Sequence, residues 1–107
     1  MEITKWEQDW TINNTERISR HLEKQQKEGS KEKSLIYRHI HTKFKNDHID
    51  LDEVELVLMI ILLRSVLTGL EKTIKRYQNE AARDYEIKAL ETKNRLMIYK
   101  VKLESVK

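Results

Sequence analysis

The residues best suited to chemistry crowd one stretch of the chain: His39, His41 and His48 with Asp47, Asp50, Asp52 and Glu53. Imidazole and carboxylate together are the ligand set of zinc and related divalent ions. The spacing does not fit such a site. His39 and His41 lie two apart, so on a helix they point in different directions, and only a strand would put them on one face. The aspartates lack the glycine that an EF-hand loop needs at its sixth position. The simpler reading is exposed polar residues at the end of one helix and the start of the next, with no metal and no cofactor. No nucleophile is set up either. The chain has no cysteine, no G-x-S-x-G, no glycine-rich phosphate loop and no H-E-x-x-H, and a serine without a placed base is only a polar residue. The expectation is a protein that is not an enzyme.

Two other groups of residues suit binding. Trp6 and Trp10 lie four apart, on one face of a helix. Tryptophan is favoured in partner-binding hot spots, although a tryptophan pair also serves to cover a core helix. The segment 20–48 carries Arg20, Lys24, Lys27, Lys31, Lys33, Arg38, Lys43 and Lys45 against four acids, and it holds all four histidines. It is the candidate surface for a nucleic-acid backbone, with Tyr37 or Phe44 available to stack on bases. Glutamates interleave with the lysines and the net charge is only +3, so a solvated helix face is the competing reading.

The elements that must position these residues are helices. There is no proline, and Gly29 and Gly69 are the only glycines in 107 residues, which argues for few, long helices and against hairpin-rich sheets. Thr4-Lys5-Trp6-Glu7 reads as a capping box. A first helix is expected to run to residue 28 with Gly29 as its C′ residue, and Asn13-Asn14 is a candidate break. A second helix is expected over 31–46 from Ile36, Ile40 and Phe44 at i, i+4, i+8, a strand being the minority alternative. Asp50 with Glu53, or Asp52 with Glu55, caps the helix after that, and the acids suit its dipole.

Leu56 to Leu63 are eight consecutive apolar residues in a chain that is 36% charged. A helix apolar all round must be surrounded. From Leu56 onward, Ile60, Leu63, Leu67, Leu70, Ile74 and Tyr77 continue a heptad seam that then changes phase. A second seam carries Leu96, Tyr99 and Leu103. A helix or helical hairpin over 51–106 fits, turning near Asn79 if it turns. A single helix of about 55 residues would be about 80 Å long, which favours the turn.

The fold class expected is all-α, a helical bundle. It comprises a long hairpin or coiled-coil helix with one or two shorter N-terminal helices packed on its apolar first half, in one domain over 1–107. No stretch is long and apolar enough to span a bilayer. With no signal peptide at the N-terminus and no cysteine, a cytoplasmic location is the expectation. The small size and the lack of cysteine and proline are reminiscent of accessory proteins of viruses or mobile elements, without a family match. The function expected is a non-enzymatic protein-binding module (an adaptor, inhibitor or regulator) that pairs with itself and with an unidentified protein. The alternative is a dimeric nucleic-acid-binding protein using 20–48. A peripheral membrane role ranks third.

Overall fold

The computed structural model describes residues 2–106. They form four helices: α1 (Lys5–Lys24), α2 (Ser30–Lys45), α3 (Glu53–Asn79) and α4 (Arg83–Glu104). No strand occurs among the described residues. The all-α expectation holds, and the strand alternative for 31–46 falls. The chain divides into two compact units whose boundary lies inside α3, after Leu58.

In the first unit, α1 begins with the expected capping box. The Thr4 N–H donates to Glu7 Oε1 at 2.9 Å, and the Glu7 N–H donates to Thr4 Oγ1 at 3.1 Å. Two expectations for this helix need correcting. There is no break at Asn13-Asn14: the Asn14 amide donates to the Trp10 carbonyl one turn back, and the helix runs through. α1 also stops at Lys24 and not at residue 28, with Gln25 in extended conformation. Leu22 is its last apolar residue, so a further turn would have no apolar side chain to bury and little to hold it helical. Gly29 does adopt the left-handed conformation (φ 82°), but as the N-cap of α2.

α1 and α2 pack on one another. The residues of α1 that are buried include Gln8, Thr11, Thr15 and Ser19, a polar stripe at helical spacing, while Trp6, Trp10, Ile18 and Leu22 are only half-buried. Each hydroxyl is satisfied. Thr11 and Thr15 donate to carbonyls four residues back, at 2.8 and 2.6 Å. Ser19 and Ser34 bond each other's backbone: Ser34 Oγ donates to the Ser19 carbonyl at 2.9 Å, and Ser19 Oγ to that of Ser34 at 3.2 Å. Small hydrogen-bonded side chains let two helices approach where larger apolar ones would not. On α2, Ser30, Ser34, Tyr37, Ile40 and Phe44 form the buried face.

α2 ends in a Schellman motif with a non-glycine residue at the left-handed position. Asp47 has φ 61°, the His48 N–H donates to Lys43 O at 2.8 Å and the Asp47 N–H to Phe44 O at 3.2 Å. The side chain of Asp47 contributes as well: its Oδ1 accepts from Gln8 Nε2 at 2.7 Å, and the same amide donates to the Phe44 carbonyl at 2.8 Å. α3 then starts on the second of the two expected caps. The Glu55 N–H donates to Asp52 Oδ1 at 2.8 Å and the Asp52 N–H to Glu55 Oε1 at 3.0 Å.

In the second unit the chain is not one continuous helix. α3 ends at Asn79 and α4 begins at Arg83. The break is another Schellman motif: the Ala82 N–H donates to Tyr77 O at 2.9 Å, the Ala81 N–H donates to Gln78 O at 3.2 Å, and Ala81 sits at φ 55°. The left-handed residue is therefore Ala81, and Asn79 is the last helical residue. Of the expected seam, Leu63, Ile74, Leu96, Tyr99 and Leu103 are buried, whereas Leu56, Ile60, Leu67, Leu70 and Tyr77 are half-buried.

Candidate functional site

The histidines and acids of 39–55 resolve into separate local contacts. Glu55 is 2% exposed. Its Oε1 accepts from Lys43 Nζ at 2.7 Å as well as from the Asp52 backbone. Its Oε2 lies 3.0 Å from His39 Nδ1, without the alignment of a hydrogen bond. Lys43 Nζ also donates to the Asp50 carbonyl at 3.2 Å. The hydrogen bond to Glu55 raises the Lys43 pKa above its ordinary value; desolvation opposes this, and the charges of Glu55, Asp50 and Asp52 add to it. His41 turns the other way, its Nδ1 donating to the Ile12 carbonyl at 2.8 Å. Among the described residues no group of three or more His, Asp or Glu side chains is placed to hold a metal ion. The cluster is a clasp that ties α2 to the loop and the first turn of α3. Glu55 is the residue whose weight the sequence hides: its place as the fourth member of an Asp-x-x-Glu box is visible there, its burial is not.

Tyr37 completes this clasp. It is 4% exposed, its hydroxyl donates to the Leu58 carbonyl at 2.8 Å, and burial pushes its pKa up to about 12. Tyr37 is thus not available for base stacking. Phe44 is fully buried and is not available either.

The basic segment splits in two. Arg20 pairs with Glu16 at 2.7 Å, Arg38 with Glu23, and Lys43 with Glu55. Lys24, Lys27, Lys31, Lys33 and Lys45 are exposed, and among the described residues no ion pair is found for them. The first four crowd the turn between α1 and α2. Beside that turn an open groove of about 460 Å³ is lined by Leu22, Lys27, Lys31, Leu35 and Arg38, among others.

The exposed apolar faces are the more distinctive feature. The run 56–63 is apolar all round, yet it is not surrounded. Leu58, Met59, Leu62 and Leu63 are buried, but Val57 and Ile61 are 54% and 50% exposed. With Val54 they form one stripe at i, i+3, i+7. α4 buries Ala89, Leu96, Tyr99 and Leu103 and leaves Ile87, Leu90, Met97, Ile98 and Val101 exposed. Trp6 and Trp10 on α1 are half-buried. No protein-family model, curated protein or solved structure matches the chain. No described helix is long and apolar enough to cross a membrane.

Proposed function

We propose that this chain is a non-enzymatic protein-binding module, a small helical adaptor, inhibitor or regulator that works as a homo-oligomer. One observation carries the reading: the most apolar helix of a highly charged chain keeps Val54, Val57 and Ile61 in solvent. Single exposed apolar residues are ordinary, but contiguous stripes on helices are docking surfaces for other helices. We also infer that α3 and α4 pair as a hairpin about Ala81. The Lys93–Glu71 ion pair at 3.7 Å and the Tyr77–Tyr85 ring contact at 5.6 Å, both across the break, support this.

Light scattering coupled to size exclusion, over a range of concentrations, tests the reading. A species heavier than the 12.9 kDa chain is the expected result. Elution as that chain mass throughout would remove the homo-oligomer.

A second reading, a nucleic-acid-binding protein, is favoured by the four exposed lysines at the α1–α2 turn, Lys24, Lys27, Lys31 and Lys33. Its test is a salt titration with labelled DNA and RNA. Affinity should fall with a log–log slope of about −0.9 per duplex phosphate neutralised, and charge reversal of those lysines should abolish it. Absence of binding at low salt would remove this reading.

A further inference from the structure

We propose that the exposed face of α4 docks on α4 of a second copy of this chain, antiparallel, with the two-fold axis passing beside Asn94. The proposal rests on the homo-oligomeric reading above and assigns that assembly its surface.

Ile87, Leu90, Asn94, Met97 and Val101 succeed one another at three, four, three and four residues, which is a heptad seam. Its apolar members are 39–61% exposed, as is the adjoining Ile98. The opposite face of α4 carries the buried residues Ala89, Leu96, Tyr99 and Leu103. α4 therefore has two seams, and the chain itself covers only one.

The pattern is self-complementary about Asn94. Ile87 and Val101 stand seven residues to either side of it, and Leu90 and Ile98 four residues to either side. A two-fold axis at Asn94 thus sets Ile87 over Val101 of the second copy and Leu90 over Ile98. The two Asn94 amides meet at the axis. Each carries a donor and an acceptor, so they can hydrogen-bond to one another. This is the isologous geometry of a closed dimer.

Charge selects the direction. Residues 84–91 hold Asp84, Glu86 and Glu91 against Lys88, whereas 97–104 hold Lys100 and Lys102 against Glu104. A parallel pair would set like half on like half. An antiparallel pair about Asn94 sets the acidic segment 84–91 of each helix on the basic segment 97–104 of the other. Within the chain Lys93 holds Glu71 at 3.7 Å and Lys100 holds Glu104 at 3.1 Å. Such partly exposed pairs are weak and can exchange partners. Because α4 is already helical within its own chain, association does not carry the cost of nucleating it. The stripe is shorter than a standard interface, so a dissociation constant of about 1–100 µM is expected.

The chain contains no cysteine, so single introduced cysteines report the geometry cleanly. Chains carrying Ile87→Cys and chains carrying Val101→Cys are mixed and mildly oxidised. A mixed disulfide dimer is expected, and Asn94→Cys alone should give a homodimer. A homodimer from Ile87→Cys alone, at equal yield, would overturn the antiparallel arrangement. In parallel, Leu90→Lys with Met97→Lys, at exposed positions that leave the helix content unchanged by circular dichroism, should weaken association at least tenfold. A dimer that survives both lysines and gives no mixed disulfide would overturn this proposal while leaving the homo-oligomer standing. An unsubstituted chain that remains monomeric would overturn both.

Discussion

Replacing Glu55 with alanine tests the clasp that holds α2 to α3. Three losses add. The Asp52 N–H loses its acceptor, which costs about 1 kcal/mol; the Asp52 side chain keeps its own bond to the residue-55 N–H, so the cap is halved and not removed. Lys43 loses its carboxylate. Breaking a fully buried pair costs about 3–5 kcal/mol, but Lys43 is 20% exposed and can turn toward water, so about 1–2 kcal/mol is the better figure. Removing the Cγ methylene and the volume of the carboxylate from a buried site adds about 1 kcal/mol. The total is about 3–4 kcal/mol. Urea unfolding followed by circular dichroism, at one low protein concentration, should show the midpoint falling by about 1–4 M at unchanged slope. Lys43→Met serves as the partner variant, since it leaves Glu55 buried with only the Asp52 N–H and His39 beside it. The double variant should recover at least 1 kcal/mol relative to the sum of the singles. A loss below about 0.5 kcal/mol for Glu55→Ala, within the range of an ordinary surface substitution, would mean that Glu55 does not hold α2 to α3.

The same contacts set other outcomes. With a pKa raised to about 12, Tyr37 keeps its proton in the folded chain where the unfolded chain has lost it, so stability holds below about pH 10 and declines as pH rises toward 12. The decline from this group is about 2–3 kcal/mol. Tyr37→Phe should remove it while leaving the smaller loss that Lys43, its own pKa also raised, contributes above its ordinary range; equal pH profiles for the two proteins would contradict this. Ala81→Gly relieves a left-handed alanine with φ 55° and should stabilise the chain by about 0.5–1 kcal/mol in thermal or urea melts, whereas a loss would contradict the strain argument. Asp47→Gly, at the same kind of position, should give no such gain, because it removes the acceptor of Gln8. Ser34→Leu should destabilise by about 2 kcal/mol or more, since it forces α1 and α2 apart and removes the hydroxyl that bonds the Ser19 carbonyl; a more stable protein would contradict close polar packing.

Much of the helical framework is legible in the sequence because its signals are local. The Thr4–Glu7 and Asp52–Glu55 boxes state their own helix starts, and the spacing of Ile36, Ile40 and Phe44 predicts α2. The illegible parts depend on tertiary packing. The α1–α2 contact runs through Ser19 and Ser34, which no hydrophobic pattern marks, so periodicity assigns the apolar residues of α1 the role that small hydroxyl residues hold. The break between α3 and α4 uses Ala81 in a conformation that composition does not advertise, where glycine or asparagine would have. Within the basic segment, charge counting cannot tell the lysines of the turn from Arg38 and Lys43, which are matched to glutamates distant in sequence. The exposed seam of α4 is hidden for a different reason. Both its faces are apolar, and only burial separates the one the chain covers from the one it leaves open.

Self-association through these open helix faces is read by sedimentation equilibrium of the full chain at several loading concentrations. The weight-average mass should climb from 12.9 kDa to twice that value across the micromolar range. A mass fixed at 12.9 kDa up to the highest concentration would contradict self-association.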